Sequence, residues 1–250
     1  MVYRLTLSYR GTRFAGWQRQ DNALAVQQVV EEALEDLFGE LLRVVAASRT
    51  DAGVHARGQS AHVYLPRPFP ERGLVHAVNH RLPEDIRLMA AHRMDDGFHS
   101  LACAQGKEYR YRVCLAEFTS PLESLFTAPW LYPVDFELLA QATRHIVGHH
   151  DFSAFALSGS SHKHPWRRVT AAVWYRRGRQ LELRIRGDGF LRGMVRCLVG
   201  TLLEVGSGRR SLEDLQRLLG GATRPEAGPT APAQGLVLQE VFYPPPWNRD

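Results

Sequence analysis

Period-two and period-3.6 patterning take turns along this chain, and that alternation leaves few architectures open. The first run, VYRLTLSY from Val2, sets Tyr3, Leu5, Leu7 and Tyr9 against Arg4, Thr6 and Ser8, the mark of a half-buried strand. Next, VQQVVEEALEDLFG puts Val26, Val29, Val30, Ala33, Leu34, Leu37 and Phe38 on one helical stripe, with Gly39 as a C-terminal stop. LLRVVAA and GQSAHVYL predict strands over 41–47 and 58–65, ERGLVHAVNHRL a helix ended near Pro83, and DIRLMAAHRM and EYRYRVCL two further strands. A proline-bearing stretch, EFTSPLESLFTAPWLYPV, interrupts at 117–134. Beyond it a helix is predicted at 135–148, strands at 168–177 and 180–187, helices at 190–206 and 211–220, and a closing strand at 235–243. The two halves repeat a similar order of elements without repeating sequence. They predict two α/β subdomains, residues 1–115 and 116–250, in a mixed α+β fold.

The 250 residues suffice for one large core or two modest ones. No run approaches the ~20 apolar residues of a membrane helix, and MVYRLTLSYR lacks the apolar core of a secretory signal. Cys103, Cys114 and Cys197 form no CxxC pair, which excludes a disulfide framework or structural zinc site of familiar spacing and fits a reducing compartment. A cytoplasmic protein is expected. The net charge is +5, and Lys107 and Lys163 are the only lysines, so the cations are almost all arginine. Arginine grips phosphate through a planar fork and stacks on bases, which leans toward nucleic acid; a codon-usage bias explains the same excess.

GDGFLRG follows a predicted strand and opens a helix, but its third glycine, Gly193, stands one position too late for a dinucleotide loop. His145, His149, His150, His162 and His164 cluster near Asp151, residue types able to hold a transition metal, yet no zinc spacing occurs among them. SRTDAGVHARGQSAHV, residues 48–63, offers more. A carboxylate that works inside a closing site must stay ionised, which burial opposes and a neighbouring guanidinium favours. Arg49 stands two residues from Asp51, and Gly53 permits a sharp bend. Spacing alone equally describes an Asx or ST turn beside a solvated arginine. On the predicted helix from Phe190, Arg192 and Arg196 stand four apart at the edge of the stripe, reaching either into a cleft or along the core to water. In KEYRYRV, Tyr109 and Tyr111 share one strand face and Arg110 and Arg112 the other, a pattern for stacking bases or for cross-strand packing.

ASRTDAGVHARGQSAHV resembles the signature of the tRNA pseudouridine synthase A family. The likeness continues in the family's order through YRGTRFAGWQRQ, VQQVVEEAL, NHRLPEDIRL, FHS before KEYRYRV, DFSAF, PWRRV, GFLRGMVRCLVGTLLEVG and APAQGLVLQEVFY, nearly the whole chain. The resemblance implies a pseudouridine synthase fold, with two similar subdomains sharing a mostly antiparallel sheet, flanking helices and a central basic cleft. It implies an enzyme that isomerises uridines 38, 39 and 40 of the tRNA anticodon stem-loop, as a cytoplasmic homodimer, without metal or cofactor. On matching positions it implies Asp51 as nucleophile toward a flipped-out base, and Arg49 and Arg196 in nucleotide placement and pairing with the carboxylate. It likewise implies Tyr109 stacking on the uracil and Leu236 walling the pocket. Three positions depart from the pattern: Arg10 where an aspartate is usual, Leu101 where an arginine follows FH and a small residue, and Gly193 where a histidine is common. Two rival readings remain beside this one, a metal-dependent RNA-processing enzyme using the histidines and a tRNA-binding protein without catalysis.

Overall fold

The N-terminal alternation becomes strand β1 (Val2–Tyr9), in which Tyr3, Leu5, Leu7 and Tyr9 are buried. In the computed structural model, which describes residues 1–159 and 164–248, the chain continues through α1 (Val26–Phe38), β2 (Val44–Ala46), β3 (His55–Tyr64), α2 (Glu71–Asn79), β4 (Ile86–Arg93) and β5 (Gly106–Cys114). There follow β6 (Ala128–Pro129), α3 (Phe136–His145), β7 (Gly148–Asp151), β8 (Trp166–Arg177), β9 (Gln180–Gly187), α4 (Met194–Gly206), α5 (Leu212–Leu218) and β10 (Leu236–Phe242). The expected α+β class, with largely antiparallel pairing, is what forms. None of the described helices is long and apolar enough to cross a membrane.

Two compact units arise, one from Met1–Lys107 with the chain from Leu238 onward, the other from Glu108–Val237. In the first, the strand order is β4-β1-β3-β10, with β2 beside β3. Both edges of β1 are paired antiparallel, Leu5 facing Ala61 of β3 and Ala91 of β4. Helix α2 packs on β4 and α1 on α2, burying Val30, Leu34, Leu74 and Val78. Each such side chain contributes roughly 1.5–3 kcal/mol on leaving water. Gly39 closes α1 as predicted, with φ 78° and its N–H on the Glu35 carbonyl.

In the second unit the order is β5-β9-β8-β7, with β6 parallel to β5. β8 and β9 form a hairpin whose two-residue turn begins at Gly178 (φ 59°), the conformation that a tight hairpin asks of that position. Helix α4 is apolar on nearly every side and packs on α3. It begins at Met194 rather than at the predicted Phe190, because Gly193 sits at φ 68° just before it. A Cβ at Gly193 would also lie 2.4 Å from Leu157 Cδ1. Arg192 therefore stands outside the helix, and the expected pairing of Arg192 with Arg196 on one helical edge does not form. At Gly200 a Cβ would lie 1.8 Å from the Pro229 carbonyl oxygen, so the backbones approach too closely there for any side chain.

Candidate active site

Strand β2 delivers the chain to the signature segment and β3 takes it away. Between them Val54 N–H donates to the Asp51 carbonyl at 3.1 Å, closing a four-residue turn with Gly53 at φ 77°. A positive φ at the third turn position, with none at Ala52, is the type II arrangement, which strongly favours glycine there. β3 starts three residues earlier than predicted, at His55, because the turn ends there. Asp51 is half-buried at the first turn position, and Arg49 is exposed.

What fixes the turn is the loop after β1. Trp17 N–H donates to the Thr50 carbonyl (3.0 Å), Gly53 N–H to the Phe14 carbonyl (3.2 Å), and Gly11 N–H to His55 Nδ1 (3.0 Å). The Tyr9 hydroxyl meets Thr50 Oγ1 at 2.8 Å, and Gln59 Nε2 donates to the Ser48 carbonyl at 2.6 Å. A Cβ at Gly16 (φ 93°) would come 2.5 Å from the Thr50 oxygen, and one at Gly11 2.0 Å from the Val54 oxygen. YRGTRFAGWQ and SRTDAGV thus face each other as backbones. Sequence reasoning missed this partnership, although Gly11 and Gly16 flanking aromatic residues were its trace.

The loop is itself tethered from beneath. Gln27 Oε1 accepts from Arg19 N–H (2.9 Å) and Gln18 Nε2 (2.8 Å), while its Nε2 donates to Glu31 Oε1 (2.9 Å) and to the Val44 carbonyl (3.0 Å). Fully buried Glu31 accepts from Val44 N–H (3.0 Å) and pairs with Arg19 (3.3 Å) and Arg43 (3.1 Å). One carboxylate midway along α1 therefore organises both the loop covering the turn and the strand leading into it.

Tyr109, Arg196 and Leu236 belong to the second unit, where the structure joins them through shared neighbours. The Tyr109 ring is 5% exposed and meets Phe190 edge-on at 5.2 Å. Arg196, half-buried on the first turn of α4, donates from Nε to the Ala231 carbonyl (2.8 Å), and Ala231 N–H returns to the Arg196 carbonyl (3.1 Å). Tyr111 donates its hydroxyl to Pro232 (2.7 Å), one residue along. Burial drives the Tyr111 phenol well above its ordinary pKa, only partly offset by the Arg196 charge, so it remains a neutral donor. A Cβ at Gly235 would strike the Tyr111 ring, and Leu236, 6% exposed, follows directly. Segment 231–236 thus connects the Arg196 guanidinium to the tyrosine face of β5. Of the two tyrosines, Tyr111 takes the packing role.

Among the described histidines, His149 stacks on Trp166 (5.2 Å), His145 meets Gln216, and His150 meets the Val147 carbonyl. Asp151 Oδ1 accepts from Ser153. Among the described residues no group of three His, Cys, Asp or Glu is placed to hold a metal; His162, part of that cluster, lies outside them. Of the departures, Arg10 pairs with Glu84 (3.2 Å) and, with Arg13, with buried Asp85; Leu101 is 54% exposed.

The model of a family described as tRNA pseudouridine synthase matches residues 6–100 and 142–244. Curated relatives named tRNA pseudouridine synthase A include that of Syntrophotalea carbinolica, 45% identical over 98% of this chain and 97% of its own length. Those of Myxococcus xanthus and Acetivibrio thermocellus are 43% and 41% identical, each over 96% of this chain and over 91% and 98% of their own lengths. The chain belongs to the tRNA pseudouridine synthase family.

Proposed function

We propose that this protein isomerises uridine to pseudouridine in the anticodon stem-loop of tRNA, at positions 38, 39 and 40, with Asp51 as nucleophile. The family match over residues 6–100 and 142–244 carries the reading. The reaction breaks the N1–C1′ glycosidic bond, turns the uracil and joins C5 to C1′. The C5 proton leaves and N1 takes one up, so atoms and electrons balance without oxidant or reductant. Reaching a base held in a stem costs a few kcal/mol of unstacking. Tyr109 returns roughly 1–3 kcal/mol by stacking on it, Leu236 walls the uracil, and Arg49 and Arg196 place the nucleotide. A backbone-clamped turn suits Asp51 to this task, since a misplacement of about 1 Å can cost roughly a hundredfold in rate. A homodimer acting in the cytoplasm accords with the reading.

The decisive experiment uses tRNA tritiated at uracil C5. The wild-type chain should release tritium with chelator present and without strand cleavage. Asp51→Asn keeps the side-chain volume but removes the charge; it should bind tRNA while losing roughly 10⁴-fold or more in turnover. Near-normal release by that variant would refute Asp51 as nucleophile.

A further inference from the structure

The solvent face of the second unit's sheet carries a pattern that the isomerisation site does not use. On β5, Glu108, Arg110 and Arg112 alternate with the buried tyrosines, and on β9, Glu182, Arg184 and Arg186 alternate with buried Leu181, Leu183 and Ile185. β8 adds Val173 opposite Arg184, Tyr175 opposite Glu182 and Arg177 opposite Gln180. Because facing residues in an antiparallel pair share a side, these groups lie on one face.

The two carboxylates are each shared between two arginines. Glu182 accepts from Arg112 Nε and Arg184 Nε, both at 2.9 Å, and Glu108 from Arg186 Nε at 2.7 Å and Arg110 Nε at 3.4 Å. Two guanidinium groups around one anion leave one positive charge per trio, and Arg177 adds another. The carboxylates are largely covered, whereas Arg112, Arg184 and Arg186 keep about half of each side chain open, at 52%, 43% and 52%. Arg184 also lies over the Tyr175 ring at 4.6 Å, and Tyr175 is 50% exposed. Glu182 is held below its ordinary pKa by its two arginines, which outweigh its partial burial, so the arrangement persists across neutral pH.

A ladder built only to stabilise the sheet would balance its charges. Here five arginines face two carboxylates, and the heads of Arg110, Arg112, Arg184 and Arg186 are held by those covered carboxylates rather than left to wander. Pre-oriented guanidinium forks along an open surface match the spacing-tolerant chemistry of a sugar-phosphate backbone.

Resting on the tRNA reading above, we propose that the solvent face of β5, β9 and β8, through Arg112, Arg184 and Arg186, is a docking surface for the phosphate backbone of the tRNA. This surface contributes affinity and takes no part in the chemistry at Asp51.

The test is tRNA binding by the full-length protein across a salt titration, with tritium release measured in parallel. Removing one arginine–phosphate pair should lower the slope of log K against log salt by about one. Arg112→Gln with Arg184→Gln should weaken binding by roughly tenfold at moderate salt and flatten the slope by about two, with turnover at saturating tRNA within about twofold of wild type. Val173→Glu, at a 47% exposed position directly opposite Arg184, adds a carboxylate to this face without deleting any arginine and should weaken binding in the same direction even if the double variant folds poorly. Unchanged affinity and slope in the folded variants would overturn the docking surface. Absence of tritium release from the wild type would instead sink the isomerase reading, leaving the binding result to stand by itself.

Discussion

Arg10 shows how a single departure is absorbed. Its backbone N–H donates to the Asp85 carbonyl at 2.9 Å while its side chain reaches the buried Asp85 carboxylate, so the cation at this position faces a carboxylate the fold already buries. Gly193 answers to two demands at once, a positive φ and close packing against Leu157. Neither partner stands near its residue in sequence, and so neither was legible there. His62 makes a sharper prediction. It is 2% exposed, its Nδ1 meets Ser100 Oγ at 2.9 Å, and its ring lies 4.6 Å from His99. Burial first, and the His99 charge second, lower its pKa to about 4. Between the unfolded value near 6.5 and the folded value of about 4 the unfolded chain binds more protons, so stability must fall as pH falls through that window. Thermal melts at pH 7, 6 and 5 should show this decline. His62→Gln, which cannot charge, should be less stable at pH 7 yet lose less on going to pH 5; a parallel pH dependence in both proteins would show that His62 is not its source.

At the scale of elements, the strands and helices were legible because their periodicity is local. β1, α1, α2, β8 and β9 form where the alternation or the stripe sets them, and the chief displacement, at α4, comes from one glycine conformation. β7 was missed, since GHHD has no apolar alternation and pairs only because β8 lies beside it. Asp51 and Arg49 could be singled out by residue type, but the scaffold of the turn could not, because its partners Phe14, Trp17, Gln27 and Glu31 are joined to it only in three dimensions. Glu31→Gln therefore probes an element-level property. It removes the anion facing Arg19 and Arg43 while sparing side-chain length, and should cost roughly 1–3 kcal/mol, or several degrees in melting temperature. Turnover measured well below the melt should fall more than tRNA affinity, since the loop over the turn loosens while the arginines that meet phosphate remain. Asp36→Asn, which breaks an exposed pair with Arg81 farther along the same helix, should cost under about 1 kcal/mol and leave turnover alone. Equal effects from the two substitutions would deny the Glu31 network any role in holding the turn.

At the scale of the molecule, the first unit is discontinuous in sequence: the chain leaves it within β5 and returns within β10. Its last residues complete a core begun more than two hundred residues earlier. The Tyr243 hydroxyl lies 2.8 Å from Ser60 Oγ and donates to the Ser100 carbonyl at 2.7 Å. Burial raises its pKa to about 12, partly opposed by the Ser60 hydrogen bond and the Arg4 charge, so it stays a donor at any working pH. Nearly buried Arg4, on β1, donates to the Trp247 carbonyl at 2.6 Å and lies 5.6 Å from the Tyr243 ring. A chain ended after Phe242 would strip these partners from Ser60, Ser100 and Arg4 together. Each buried polar group left short costs roughly 1–3 kcal/mol, and for a chain of this size each kcal/mol moves the melt by about 2–4 °C. With about 1 kcal/mol and 2 °C for each of the three groups as the lower bound, the truncated protein should melt at least roughly 6 °C lower, with proteolytic cuts appearing first in Met1–Lys107 and Glu108–Val237 persisting longer. Tyr243→Phe, which keeps the ring over Arg4 and loses only the hydroxyl, should fall between the truncation and wild type. A truncation that melts with the full-length chain would mean that β1 and β3 hold the first unit without its C-terminal closure.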